Sequence, residues 1–284
     1  MTIKKISLRA FALVLFSFFS SITFGQEAKK FEGKLSYRSI ENHDKNIVDN
    51  SCGMAYNGSR SSSYIIKGEN VLFTDSCTNI HILFQPQINV VTIYCPNTKK
   101  GMAFNYENYR NTYGASFSPK GPSYMGHGMP PSLYRFTTEG NGATMLNHNT
   151  EYIKGRIENQ TAGTSFDIYN IKEFEVPQTM YIAYLFGIEI KGLISKCVWE
   201  QVNNVPNVGE FKTYVSSELK NIEEYIVDDS VFTIPADIHI SKTENAIEFV
   251  NIYKENHQYL LQNNKYPTQT SDKVVYEIDE EWDF

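Results

Sequence analysis

The chain of 284 residues has none of the short motifs that mark a familiar catalytic site. It contains no Gly-x-Ser-x-Gly nucleophile elbow, no glycine loop for phosphate or dinucleotide binding, and no EF-hand loop. Its six histidines form neither a His-x-His nor a His-Glu-x-x-His pattern. We therefore expect a non-enzymatic protein that needs no cofactor.

Cysteine is scarce as well, with four residues and no Cys-x-x-Cys spacing, which argues against a zinc site. An even number of cysteines in an exported chain permits disulfides, with three possible connectivities. We expect one disulfide among Cys52, Cys77 and Cys95, although the spacing does not identify the pair. Cys197 is expected to be a buried thiol in a strand.

Basic residues are in the minority, with 26 Lys and Arg against 32 Asp and Glu, and the formal net charge is −6. A surface of this sign repels phosphate, so nucleic acid is not an expected partner.

Long apolar runs are missing except near the N-terminus. Three basic residues precede an apolar run at 10–19, and Thr23 and Gly25 occupy the −3 and −1 positions of a cut before Gln26. This order is typical of a secretory signal peptide over residues 1–25. The alternative is an uncleaved anchor, but the run is shorter than the roughly 20 residues of a membrane span. We expect a periplasmic or secreted protein with no transmembrane span after cleavage.

Alternating apolar and polar residues are what the rest of the chain has in abundance. In FEGKLSYRS, residues 31–39, the apolar residues recur with a period of two, which is typical of a strand with one buried face. Two hairpins follow, with turns at KGEN, where Gly68 can adopt positive φ, and at QPQIN, where Pro86 belongs in the turn. Aromatic residues make up 14% of the chain, which also favours strands.

The chain divides into four segments by pattern. After the signal peptide, an antiparallel β domain is expected over residues 26–240, with an irregular, Gly- and Pro-rich insertion at about 97–147. An amphipathic helix is expected at 241–264, with a capping box at its start and Leu261 on its apolar stripe. The acidic tail at 265–284 is either an edge strand or a disordered end.

The order of these segments resembles secreted bacterial relatives of the LolA/LolB lipoprotein-carrier superfamily. The resemblance rests on the FEGKLSY strand, the hairpins that follow it, and the closing ELKNIEEYIVDDSVFTIPADI, and it covers roughly residues 30–240. It implies a mainly β fold in which a curved antiparallel sheet forms a half-barrel around a helix or an apolar groove. It also implies an apolar cavity for acyl chains or another apolar cargo. This chain departs from the superfamily by the insertion at 97–147 and by its C-terminal helix.

Aromatic and aliphatic side chains of the later strands are the candidates for lining such a groove: Tyr181, Tyr184, Phe186 and Ile188. Which face of the sheet points inward stays open, and the same residues could simply fill a core. A groove of this kind predicts a carrier or sensor of an apolar or lipid-like ligand in the cell envelope. The alternative is a protein-interaction or envelope-structural module, with a protein partner, whose groove is filled by its own helix.

A third hypothesis arises from SYMGHGMPPS, where Met125, His127 and Met129 alternate with glycines. Thioether and imidazole ligands suit Cu(I), and residues two apart in an extended segment point the same way. Copper handling is weighed against a plain loop, or a loop whose methionines contact the cargo.

Overall fold

The computed structural model describes residues 28–43, 47–49, 58–108, 134–157, 164–180, 190–205, 209–263, 265 and 276–278. Over these residues the protein is mainly β with a helix near its C-terminus, as the sequence predicts. No helix in these ranges is long and apolar enough to cross a membrane.

The strands and the helix have the following bounds: β1 Lys29–Lys30, β2 Gly33–His43, β3 Ile47–Asp49, β4 Gly58–Lys67, β5 Asn70–Asp75, β6 Ile80–Gln85, β7 Val90–Cys95, β8 Lys100–Asn105, β9 Tyr134–Asn141, β10 Glu151–Ile157, β11 Thr164–Ile171, β12 Phe174–Glu175, β13 Leu193–Val205, β14 Gly209–Glu224, β15 His239–Lys242, β16 Tyr276–Ile278 and α1 Val250–Gln262. Short 3-10 turns lie at Pro86–Ile88, Gln178–Met180, Asp229–Phe232 and Ala246–Phe249.

Twelve of these strands form one sheet in the order β15-β8-β7-β6-β5-β4-β2-β14-β13-β11-β10-β9. Two antiparallel meanders, β4 to β8 and β9 to β13, are joined through the central pair of β2 and β14. β15 adds to the edge of β8 in parallel. Two small parallel pairs, β1 with β12 and β3 with β16, complete the described sheets.

The predicted alternation of β2 is confirmed, because Leu35 and Tyr37 are buried while their neighbours are partly or fully exposed. Both predicted hairpins are confirmed too. Gly68 turns between β4 and β5 with φ +58°, and Pro86 begins the 3-10 turn between β6 and β7. The long strand β14 carries a bulge between Leu219 and Asn221.

The structure corrects two of the sequence predictions. β8 and β9 fall inside the stretch 97–147 that was expected to be irregular, and each is paired with its neighbour in the sequence, β8 with β7 and β9 with β10. The predicted capping box at Ser241 and Glu244 is wrong. Ser241 lies in β15, held by pairing with β8, and α1 begins only at Val250.

The main core lies on one face of the sheet, called here the inner face. Helix α1 covers part of this face with Ile252 and Tyr253, and Phe249 from the 3-10 turn before it packs beside them. The segment around Phe174 and Met180 covers another part. The opposite face of β5 to β7 is covered by residues 227–240, which form a second, smaller cluster. Lys67 holds this segment in place by donating to the Val227 carbonyl oxygen at 2.9 Å.

Candidate functional site

The residues predicted to line a lipid groove, Tyr181, Tyr184, Phe186 and Ile188, lie outside the described residues. The same is true of the predicted copper ligands Met125, His127 and Met129. In the ranges that the structure describes, no group of three or more His, Cys, Asp and Glu side chains could hold a metal ion. Copper handling therefore stays a prediction, to be tested by the Cu(I) affinity of a triple alanine variant.

A groove lies along α1 where the helix crosses the β8–β15 end of the inner face. It encloses about 450 Å³, within the range of small-molecule sites. We call it the edge groove. It is lined by Lys100, Gly101, Met102, His239, Ser241, Asn251, Ile252, Lys254, Glu255 and Gln258.

Strand register explains which side chains form the floor of the edge groove. His239 pairs with Lys100 and Ser241 pairs with Met102, so these four residues share one face of the sheet. The intervening Ile240 points to the opposite face and packs in the second cluster. Gly101 leaves room for the packing on that opposite face, because a Cβ at position 101 would lie 2.8 Å from the Ile93 carbonyl oxygen.

The wall of the groove is one flank of α1. Asn251, Glu255 and Gln258 are spaced by four and three residues and therefore lie on the same side of the helix. Lys100 Nζ lies 2.9 Å from Glu255 Oε2, so an ion pair links floor and wall. Both side chains of this pair are about half exposed, and such pairs contribute little to stability.

A buried polar network positions α1 on the sheet. Asn256 is 1% exposed, and its Nδ2 donates to the Thr78 carbonyl oxygen at 2.7 Å. Its Oδ1 accepts from Asn97 Nδ2 at 3.1 Å. Thr78 lies in the turn between β5 and β6, and Asn97 lies in the turn between β7 and β8. Asn256 therefore joins the helix to two turns of the sheet. Sequence reasoning missed Asn256, because a polar residue interrupts an apolar stripe.

From Asn97 the network returns to the turn between β5 and β6 and ends at His81. Asn79 Nδ2 donates to Asn97 Oδ1, and His81 Nε2 donates to Asn79 Oδ1, each at 3.1 Å. Thr74 Oγ1 donates to His81 Nδ1 at 3.1 Å, which completes the partners of a neutral ring. Burial lowers the pKa of His81, because the charged form loses solvation.

The cysteines only partly match the sequence prediction. Cys197 is a buried, unbridged thiol in β13, as expected, and its pKa is raised to about 12 by burial and by the charge of Asp167. Cys95 is also buried and unbridged, so Cys77 and Cys95 are not bonded to each other. Cys52, the remaining member of the expected disulfide set, lies outside the described residues.

Paired carboxylates near the end of β14 have structural partners. Glu224 pairs with Lys29, Asp229 pairs with Lys67 at 2.7 Å, and Asp228 accepts from the Ser230 backbone N–H at 2.8 Å. Hydrogen bonding to Ser230 lowers the pKa of Asp228. These carboxylates act as rim and capping charges.

Comparison with known proteins adds no relative: no protein-family model matches the chain, and no curated protein matches it.

Proposed function

We propose that this protein is a non-enzymatic binding protein of the cell envelope whose sheet interior is filled by its own helix. One observation carries the proposal: α1 is docked on the inner face. Ile252, Tyr253 and Leu260 are each at most 9% exposed, and Asn256 is satisfied by two turns of the sheet. This packing supports an interaction module over a carrier with an open apolar groove.

The half-barrel and the resemblance to the LolA/LolB superfamily belong to this proposal. In such a fold the concave side of the sheet is the place for an apolar ligand. Here Tyr253 of α1 and Phe249 of the 3-10 turn before it pack into the main core, with their rings 5.6 Å apart. The helix thus occupies area that an acyl chain would need.

A fluorescent fatty acid distinguishes the two functions. We expect the unmodified protein, in which α1 is docked, to show no saturable binding of the fatty acid. We also expect strong hydrogen-exchange protection of the α1 amides. Tyr253→Ala removes a ring from the core beside Tyr64, and this variant should bind the probe more readily than Leu261→Ala, a change at an exposed position of the same helix. Stoichiometric binding by the unmodified protein, with loss of α1 protection, would establish the carrier instead.

Export is the other part of the proposal. Cleavage before Gln26 should give a mature chain of residues 26–284, and the mass of protein purified from the envelope of its own host measures this directly. Retention of residues 1–25 would favour the anchor and contradict the cleavage.

A further inference from the structure

The edge groove carries a positive charge on a protein of net negative charge. Two lysines, Lys100 and Lys254, line it with one carboxylate, Glu255, and the whole chain has a formal charge of −6. Lys100 is paired with Glu255 at 2.9 Å, whereas Lys254 is exposed and has no carboxylate partner among the residues that the structure describes. One ammonium group is therefore available to an anion.

Groups that recognise hydroxyls surround this charge. Asn251 and Gln258 flank Glu255 on α1, and Ser241 faces them from β15. A carboxamide both donates and accepts hydrogen bonds, which matches the dual character of a ligand hydroxyl. Asn251 and Gln258 are exposed, and Ser241 Oγ, which donates to the Gly101 carbonyl oxygen at 3.3 Å, can still accept a hydrogen bond from a ligand hydroxyl.

Two of the ten residues that line the groove, Met102 and Ile252, have apolar side chains, and Ile252 is itself buried in the core. The aliphatic stems of Lys100 and Lys254 add apolar surface below their charged ends. Sites for lipid tails are lined mostly by apolar and aromatic groups, and none of the residues that line the edge groove is Phe, Tyr or Trp. The lining suits a small ligand that combines polar groups with some apolar surface.

We propose that the edge groove binds a small hydroxylated anion, of the sugar-acid or sugar-phosphate class. Lys254 binds the anionic group, and Asn251, Gln258 and Ser241 bind the hydroxyls. Glu255 competes with the ligand for Lys100. This inference rests on the proposed function, because the groove exists only while α1 stays docked.

The test is calorimetric titration of the full mature chain with glucuronate and with glucose 6-phosphate. Glucose, inorganic phosphate and dodecanoate are titrated beside them. We expect one charged sugar to bind with a dissociation constant below about 1 mM, more weakly at high salt.

Lys254→Gln should weaken binding about tenfold or more, because a charge-assisted hydrogen bond is lost. Lys242→Gln should leave binding unchanged. Lys242 is exposed on β15, the strand that supplies Ser241, but its side chain points to the opposite face of the sheet.

A gain of affinity is the sharper prediction. Glu255→Gln should tighten binding severalfold, because it frees the Lys100 ammonium while an amide keeps the shape of the side chain. Unchanged or weaker binding in this variant, with α1 exchange protection intact, would overturn the assigned role of Glu255.

The remaining outcomes separate this inference from the proposed function. Glucose binding equal to that of the charged sugars would overturn anion recognition, and inorganic phosphate binding equal to that of glucose 6-phosphate would overturn hydroxyl recognition. No binding by either charged sugar, with α1 protected and dodecanoate excluded, would overturn the inference alone. Binding of dodecanoate with loss of α1 protection would overturn the proposed function.

Discussion

Two glycines with positive φ illustrate how much the surroundings of one residue matter. Gly33 begins β2 with φ +143°, and a Cβ there would lie 1.9 Å from the Glu223 carbonyl oxygen of β14. Gly68 has φ +58° in a hairpin turn, and a Cβ there would meet nothing within 4 Å. A larger residue at position 33 would meet both backbone strain and a steric clash, while a larger residue at position 68 would meet strain alone.

Gly33→Ala should therefore destabilise the protein more than Gly68→Ala. Strain at a positive φ costs about 1–3 kcal/mol in either variant, and the clash at Gly33 adds to it because the obstacle is backbone. Urea unfolding of the two variants measures the difference. Equal loss of stability would show that β2 and β14 separate easily at this point.

His81 makes the stability of the protein depend on pH. Burial holds the pKa of His81 below its ordinary value near 6.5, so between the two values the unfolded chain binds more protons than the folded chain. Stability should be fully present above about pH 6.5 and decrease as the pH falls below it.

The measurement is the free energy of unfolding against pH for the parent protein and for His81→Gln, which cannot titrate. The variant should show a smaller loss below pH 6.5. The loss that remains belongs partly to His257 on α1, whose pKa is also lowered by burial. An unchanged pH profile would show that His81 is as accessible to protons in the folded protein as in the unfolded chain.

At the scale of elements, α1 shows where a periodic pattern misleads. The sequence placed Leu261 on the apolar stripe, yet Leu261 is 54% exposed and Asn256 is 1% exposed. An apolar residue that comes late in a helix can lie outside the contact with the sheet, whereas a buried amide is retained because its donors and acceptor find partners.

Asn256→Ala should cost about 1–3 kcal/mol, because it leaves the Thr78 carbonyl oxygen and the Asn97 amide with fewer partners. Leu261→Ala, the matched control on the same helix, should change stability by less than about 0.5 kcal/mol. Hydrogen exchange should show lower protection of α1 in the first variant and not in the second. Equal effects would mean that the network does not position the helix.

Bulges in the strands are also satisfied by tertiary contacts. The pairing of β13 with β11 shifts between Tyr169 and Asn170, so that no residue of β11 stands opposite Ser195 in the register. The Ile194 carbonyl oxygen there accepts from Tyr37 OH at 2.8 Å, and Ser195 Oγ donates to the Tyr169 carbonyl oxygen at 2.9 Å. Side chains from β2 and from the bulge itself thus replace the missing ladder bonds.

For the molecule as a whole, the pairing of β2 with β14 joins the two meanders into one sheet. The inner-face core contains residues from both meanders, including Cys95 in β7 and Cys197 in β13. A core shared in this way predicts that the two halves open together.

Thiol labelling tests this cooperativity. Cys95 and Cys197 are both buried, and burial raises the pKa of each thiol, so neither should react with a thiol reagent in the folded state. On partial denaturation both should be labelled with the same dependence on denaturant, as read by mass spectrometry of Cys95→Ala and Cys197→Ala variants. Labelling of one thiol at lower denaturant would show that the halves unfold independently.

The sequence by itself determined the local elements of this protein. Period-two alternation identified β2, and turn residues identified both hairpins, because burial of one face and a required positive φ each leave a local trace. The helical period that predicted a helix over 241–264 identified α1, although not where it begins.

Only the tertiary structure decided the order of strands and the place of the candidate site. β15 becomes a strand by pairing with β8, more than a hundred residues earlier in the chain, and nothing local in HISK requires it. The edge groove follows from that pairing and from the docking of α1 through Asn256. Contacts between distant segments depend on matching surfaces in space, and no periodicity of either segment encodes its partner.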